Sequence, residues 1–130
     1  MNGPNKAQPD EKLNAWVKQR MDGAVRELMQ RGVVEDVVVE AKPAWVFPFT
    51  LLIGRIRDQS GRAGFDWFIC GDAPLSHVDS KMAATPREAA RHFALQWQLD
   101  ATRAGEAGAD LVKKAEALYE LVQQDALWQR

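Results

Sequence analysis

A chain of 130 residues, 46% hydrophobic and 27% charged, has the length and composition of one globular domain able to bury its own core. A net charge of −1 excludes a global field drawing the chain to nucleic acid or an anionic membrane, and a single cysteine excludes an intramolecular disulfide or a multi-cysteine metal site. The longest apolar candidate, Trp45 to Ile56, is interrupted by Pro48, Thr50 and Arg55, so no run reaches the length of a membrane span.

The first residues, MNGPNKAQPDEK, lack the basic and apolar regions of a secretory signal, and a lone thiol suits a reducing compartment. The expected location is the cytoplasm. The expected organisation is a disordered tail over residues 1–9 and a single α+β domain over 10–130. Asp10 predicts an N-cap, followed by an apolar stripe at Leu13, Trp16, Val17, Met21, Ala24, Val25 and Leu28. Gly32 is the expected C′ residue of this first helix.

Val33 to Ala41 is short and β-branched and predicts a half-buried strand, with Val37, Val39 and Ala41 on one face and Val38 on the other. Lys42-Pro43 is expected to break it. Trp45 to Arg57 predicts a second strand region with apolar residues on both parities, hence a central strand or one covered on both faces. Pro48 within it marks a bulge, an edge or a split into two pieces. The turn Asp58 to Gly64 predicts an antiparallel hairpin with a third strand, Phe65 to Cys70.

That strand ends at Gly71-Asp72-Ala73-Pro74, where Gly allows a positive φ, Asp closes an Asx turn and Pro fixes the exit direction. A polar loop follows. Thr85-Pro86-Arg87-Glu88 then opens a helix, with Thr85 at the N-cap, Pro86 at N1 and Glu88 completing a capping box. Ala90, Phe93, Ala94, Trp97, Ala101 and Ala104 share its core face, and Leu95 and Leu99 lie on the far side. Gly105 and Gly108 loosen the chain before a last helix, expected to be capped by Asp110 and to present Leu111, Ala115, Leu118, Val122 and Ala126. The predicted fold is α+β: a helix, a three-stranded antiparallel sheet, and two C-terminal helices packed on one face.

Few residues point to chemistry. Cys70, at the end of an apolar strand, reads as a small buried hydrophobe before it reads as a nucleophile, which would need a base and an electropositive setting. His77 follows the turn with Asp79 nearby; acid–base work or metal binding with Asp72 stands against the commoner solvated loop histidine. Asp72 facing Arg87 across a cleft would anchor a ligand or partner, while turn chemistry alone also explains the aspartate. Glu88 and His92 are spaced to touch on one helix face. Five tryptophans sit at core-like spacings, and Trp128 lies too near the C-terminus to be assigned to the core.

The order Trp45…Pro48, an aromatic strand into Gly71-Asp72-x-Pro74, then Pro86-Arg87-Glu88-Ala89 and a helical Trp97, resembles a group of small bacterial domains of unknown function. The resemblance covers about Trp16 to Trp97 and leaves the last helix outside it. Leu75-Ser76-His77 departs from the pattern, in which a polar or aromatic residue often follows the proline. The resemblance implies a fold and a bacterial origin, and no activity.

Two functional classes follow. The leading one is a non-enzymatic protein-interaction or regulatory domain with no cofactor and no metal. It would bind an unidentified protein, or a second copy in a homodimer built on the two C-terminal helices, because Leu95, Leu99, Leu127 and Trp128 exceed what one core face can cover. The alternative is a small enzyme or ligand-binding protein with a cleft at the exit of strand three, where Asp72, His77 and Arg87 converge. Nucleic-acid binding ranks below both, since Arg55, Arg57, Arg62, Arg87, Arg91 and Arg103 would all have to share a face.

Overall fold

The computed structural model describes residues 9–34, 37–59 and 64–129. Apart from Pro9, which begins the first helix, the tail expected over 1–9 lies outside the described residues, as do residues 60–63 of the expected hairpin turn. Helix α1 spans Pro9–Gln30, followed by strands β1 (Val38–Phe47), β2 (Leu51–Asp58), β3 (Asp66–Gly71) and β4 (Ser76–Asp79). Helix α2 spans Pro86–Ala104 and helix α3 Ala109–Val122, with a 3-10 turn at Gly105–Gly108 between them and another at Asp125–Leu127.

The strands form one antiparallel sheet in the order β1-β2-β3-β4, each paired with its neighbour in sequence. Both inner strands are buried along nearly their whole length. Alternation sends Leu51, Ile53, Trp67 and Ile69 to one face, where they meet Phe93 and Trp97 of α2 and Ala115 and Leu118 of α3. Leu52, Ile56, Phe68 and Cys70 point the other way and pack on Met21, Ala24 and Leu28 of α1. The apolar residues on both parities of the second strand region thus have their reason in a sheet covered on both sides. The two C-terminal helices share one face, as expected, and α1 lies on the opposite one. Each fully buried Leu, Ile or Phe here contributes roughly 1.5–3 kcal/mol of transfer free energy.

Three strand assignments change. The Trp45–Arg57 region splits at Pro48. Thr50 N–H donates to Phe47 O at 3.0 Å, and Phe49 has φ 59°, the arrangement of a type II turn with Pro48 in its second position. Most proteins place glycine at that third position; here Phe49 rests against Trp16 at 6.0 Å between ring centroids. Lys42-Pro43 does not end a strand. β1 is an edge strand, and its register shifts between Pro43 and Trp45, so the missing proline N–H falls at a bulge. The bulge also puts Ala44 and Trp45 on the same side. Upstream, a further register shift lets Val38 and Ala41 both face α1, while Val37 is exposed.

The fourth strand lies within what the sequence presents as a polar loop. Ser76–Asp79 pairs with β3, and of its side chains only Val78 is apolar and buried. Ser76 has a second role: its Oγ accepts the indole N–H of Trp97 at 2.9 Å, fastening α2 to the sheet edge. Trp67 Nε1 donates to Ala83 O at 2.8 Å, holding the approach to α2.

The helix ends follow local chemistry. Val33 N–H bonds Leu28 O and Gly32 N–H bonds Met29 O, with Gly32 at φ 77°, which is a Schellman ending. Thr85 Oγ accepts Glu88 N–H at 3.1 Å, and Glu88 Oε1 accepts Ala84 N–H at 2.9 Å, a capping box reaching one residue further back than usual. Glu88 is therefore committed to the cap rather than to His92. Asp10 sits inside the first turn of α1 and Asp110 inside that of α3, so neither is the N-cap residue expected of it. Between α2 and α3 the chain reverses through Gly105, at φ 63°. A Cβ on Gly108 would lie 2.4 Å from Ala101 O, so only glycine allows the two helices to close there. The result is an antiparallel helical hairpin, with the start of α2 beside the end of α3.

Trp97 joins the core, the sheet edge and α2 in one side chain. Trp97→Ala is expected to lower unfolding free energy by about 3–5 kcal/mol, the range for a large buried aromatic. A chemical-denaturation midpoint shifted by no more than a surface substitution would contradict this placement.

Candidate functional site

The exit of β3 is set by two backbone constraints. Gly71 has φ 109°, and a Cβ there would lie 2.3 Å from Thr50 O. Asp72 N–H donates to the same oxygen at 2.8 Å. The turn after β3 is thereby tied to the β1–β2 turn, and both face the flank of α3. Between them lies a cleft of about 400 Å³. Its floor includes Phe47, Leu51, Leu118 and Leu121, and Asp72, Lys113 and Lys114 stand on its walls.

Across this cleft Lys114 Nζ lies 3.1 Å from Asp72 Oδ1. Arg87 is elsewhere: its Nε donates to Val122 O at 2.8 Å and its Nη2 meets Asp125 Oδ1 at 2.7 Å, clamping the two ends of the hairpin together. His77 Nδ1 lies 3.5 Å from Oδ2 of the buried Asp66, on the neighbouring strand. Asp72, His77 and Arg87 therefore each have a different partner, and the cleft that takes in Asp72 includes neither of the other two. Arg87 lines a separate, larger groove of about 680 Å³ beside Trp45 and Trp128. Among the described residues no group of three or more His, Cys, Asp or Glu is placed to hold a metal ion.

Trp128 is not spare apolar surface. Its ring stacks on Trp45 at 4.1 Å and 10°, and its Nε1 donates to Leu121 O at 2.9 Å. Trp45 answers by donating to Leu127 O at 2.8 Å. This reciprocal pair packs the C-terminal segment onto edge strand β1. Leu95 and Leu99 do remain uncovered, at 55% and 46% exposure, and they are joined by Val112 at 38% and Tyr119 at 47% on α3. Sequence reasoning missed those two, although a 100° step from Leu118 puts both on one flank of α3. Because Gly108 meets Ala101 and Val122 meets Arg87, Leu99 stands level with the Val112 turn across the hairpin. Leu95 and Leu99 thus lie opposite the core face of α2, and Val112 and Tyr119 on the flank of α3 outside its core face.

Arg87 and Arg103 sit at opposite ends of α2, about 24 Å apart at the helical rise, and each is paired with an aspartate. Arg62 lies outside the described residues. No helix of the described residues is long and apolar enough to cross a membrane.

Cys70 faces α1 within the second core. Burial pushes its thiol from 9.0 up to about 11, against a smaller lowering by Arg20. The folded chain keeps this proton where the unfolded chain has released it, so stability falls as pH rises from 9.0 towards about 11. An aromatic disulfide reagent at pH 8 is expected to react slowly with the native protein and at once in denaturant. Equal rates in both states would contradict the burial.

A family model described as a domain of unknown function, DUF4826, matches residues 10–128, a span that includes the last helix. No match was found among curated proteins or among solved structures.

Proposed function

The chain belongs to this family of unknown function, and we propose that it is a non-enzymatic protein-interaction domain that pairs with a second copy through the crest of its C-terminal hairpin. The observation that carries the reading is the exposure of Leu95, Leu99, Val112 and Tyr119, large apolar side chains left in water on the two C-terminal helices. The core faces of both helices are already occupied, α2 by the sheet and α3 by α2. A symmetric pair is the commonest way to cover such a face. Charges flank it in a self-complementary way, with exposed Arg91 on α2 and exposed Glu116 on α3. A two-fold axis along the hairpin would lay α2 of each copy over α3 of the other and bring these opposite charges together. A buried, raised-pKa thiol suits a reducing compartment, and we place the protein in the cytoplasm.

Sedimentation from low to high micromolar concentration is the test. The expected result is a concentration-dependent dimer that Leu95→Lys abolishes, with the denaturation midpoint unchanged at concentrations low enough for the wild type to be monomeric, since Leu95 is outside the core. A wild-type chain that stays monomeric throughout would overturn it, as would a dimer indifferent to Leu95→Lys.

A further inference from the structure

We propose that the cleft between α3 and the exit of β3 is a binding site for a free amphipathic carboxylic acid, held by Lys114 with its apolar tail on Phe47, Leu51, Leu118 and Leu121. The cleft's volume of about 400 Å³ falls within the roughly 300–1,000 Å³ of small-molecule sites, and its floor is apolar with polar groups at the wall, as such sites usually are. It is separate from the hairpin crest and does not depend on the pairing of two copies.

The chemistry of the ligand is read from the group already there. Lys114 and Asp72 form an unequal pair: the lysine side chain is 29% exposed, the aspartate 77%. The lysine side chain lies largely against the wall of the cleft, whereas the aspartate reaches it from a surface turn. An ion pair so open on one side contributes little stability, so Asp72 can swing into water at small cost. A ligand carboxylate can then take its place on Lys114 with the same charge and the same hydrogen bonds. Asp72 thus acts as a resident stand-in, closing the cleft when it is empty.

The alternatives fit less well. A ligand amine would have to draw Asp72 away and leave Lys114, the less exposed side chain of the pair, without a partner. A neutral ligand would gain nothing from Lys114. Lys113, on the same wall, has no ion pair among the described residues and adds a second positive charge beside the first. Asp110 and Glu120 line the cleft further along α3, at either side of the lysines. They confine the anionic end to the neighbourhood of Lys113 and Lys114 and require the rest of the ligand to be uncharged.

Calorimetric titration of the full chain with octanoate, octanol and octylamine tests the proposal. Octanoate is expected to bind saturably at low millimolar concentration or better, and octanol about tenfold more weakly. Lys114→Met should weaken octanoate to the level of octanol and leave octanol unchanged. Asp72→Asn, which removes the competing carboxylate, should tighten octanoate several-fold, an effect that no merely structural role of Asp72 would produce. Octanol or octylamine binding as tightly as octanoate, no saturable binding of octanoate, or weaker binding after Asp72→Asn would each overturn the proposal.

Discussion

At the centre of the sheet the ring of Phe68 lies across Gly54, and the rest of the structure depends on that contact. The two residues are directly paired between β2 and β3. A Cβ at position 54 would fall 2.5 Å from Cζ of Phe68 and 3.0 Å from Lys42 O, so only glycine leaves room for a fully buried phenyl ring. The ring in turn fills the gap that a glycine leaves in a strand, where it would otherwise weaken the sheet. It presents α1 with a continuous apolar surface beside Leu52 and Ile56. On the reverse face Ile53, Trp67 and Ile69 present a second one. A four-stranded sheet apolar on both sides has to be covered on both sides, which fixes a three-layer arrangement.

The surface follows from how that cover is shared. Helix α1 closes one face, with Val33, Val34 and Leu75 at its margin. On the other, α2 lies on the sheet and is fixed by Trp97 to Ser76, and α3 packs chiefly against α2 while reaching the sheet near the exit of β3. Two consequences are spatially distinct. The hairpin turns its crest to water with Leu95, Leu99, Val112 and Tyr119 on it. Where α3 overhangs the ends of β1, β2 and β3 it leaves the cleft bridged by Lys114 and Asp72. Both features arise from packing a two-helix hairpin on one face of the sheet.

Local rules were readable where the sequence carries them within a few residues. Gly32 and the Thr85-Pro86-x-Glu88 start need only their neighbours, and both helix ends fall where capping chemistry predicts. The two-parity pattern of the second strand region pointed to a central strand or one covered on both faces, and β2 is both. Strand β4 was hidden because an edge strand of four residues with one buried side chain has too little alternation to stand out. Pro43 misled for a related reason: the breaker rule assumes a ladder bond is needed, and an edge bulge does not need one. The site was less legible still. Asp72 and Lys114 are 42 residues apart, and nothing local distinguishes Lys114 from Arg87 as the partner. Trp128 looked exposed from its position in the chain, but Trp45, 83 positions earlier, covers it.

The central claim is that the Phe68 ring and the missing side chain of Gly54 constrain each other. A double-mutant cycle measures this directly, using unfolding free energies of the wild type, Gly54→Ala, Phe68→Leu and the combination. Gly54→Ala is expected to be strongly destabilising on its own and much less so once Phe68→Leu has removed the ring, with a coupling of about 1 kcal/mol or more. Penalties that simply add would contradict it, because the two positions would then not be sharing the same space.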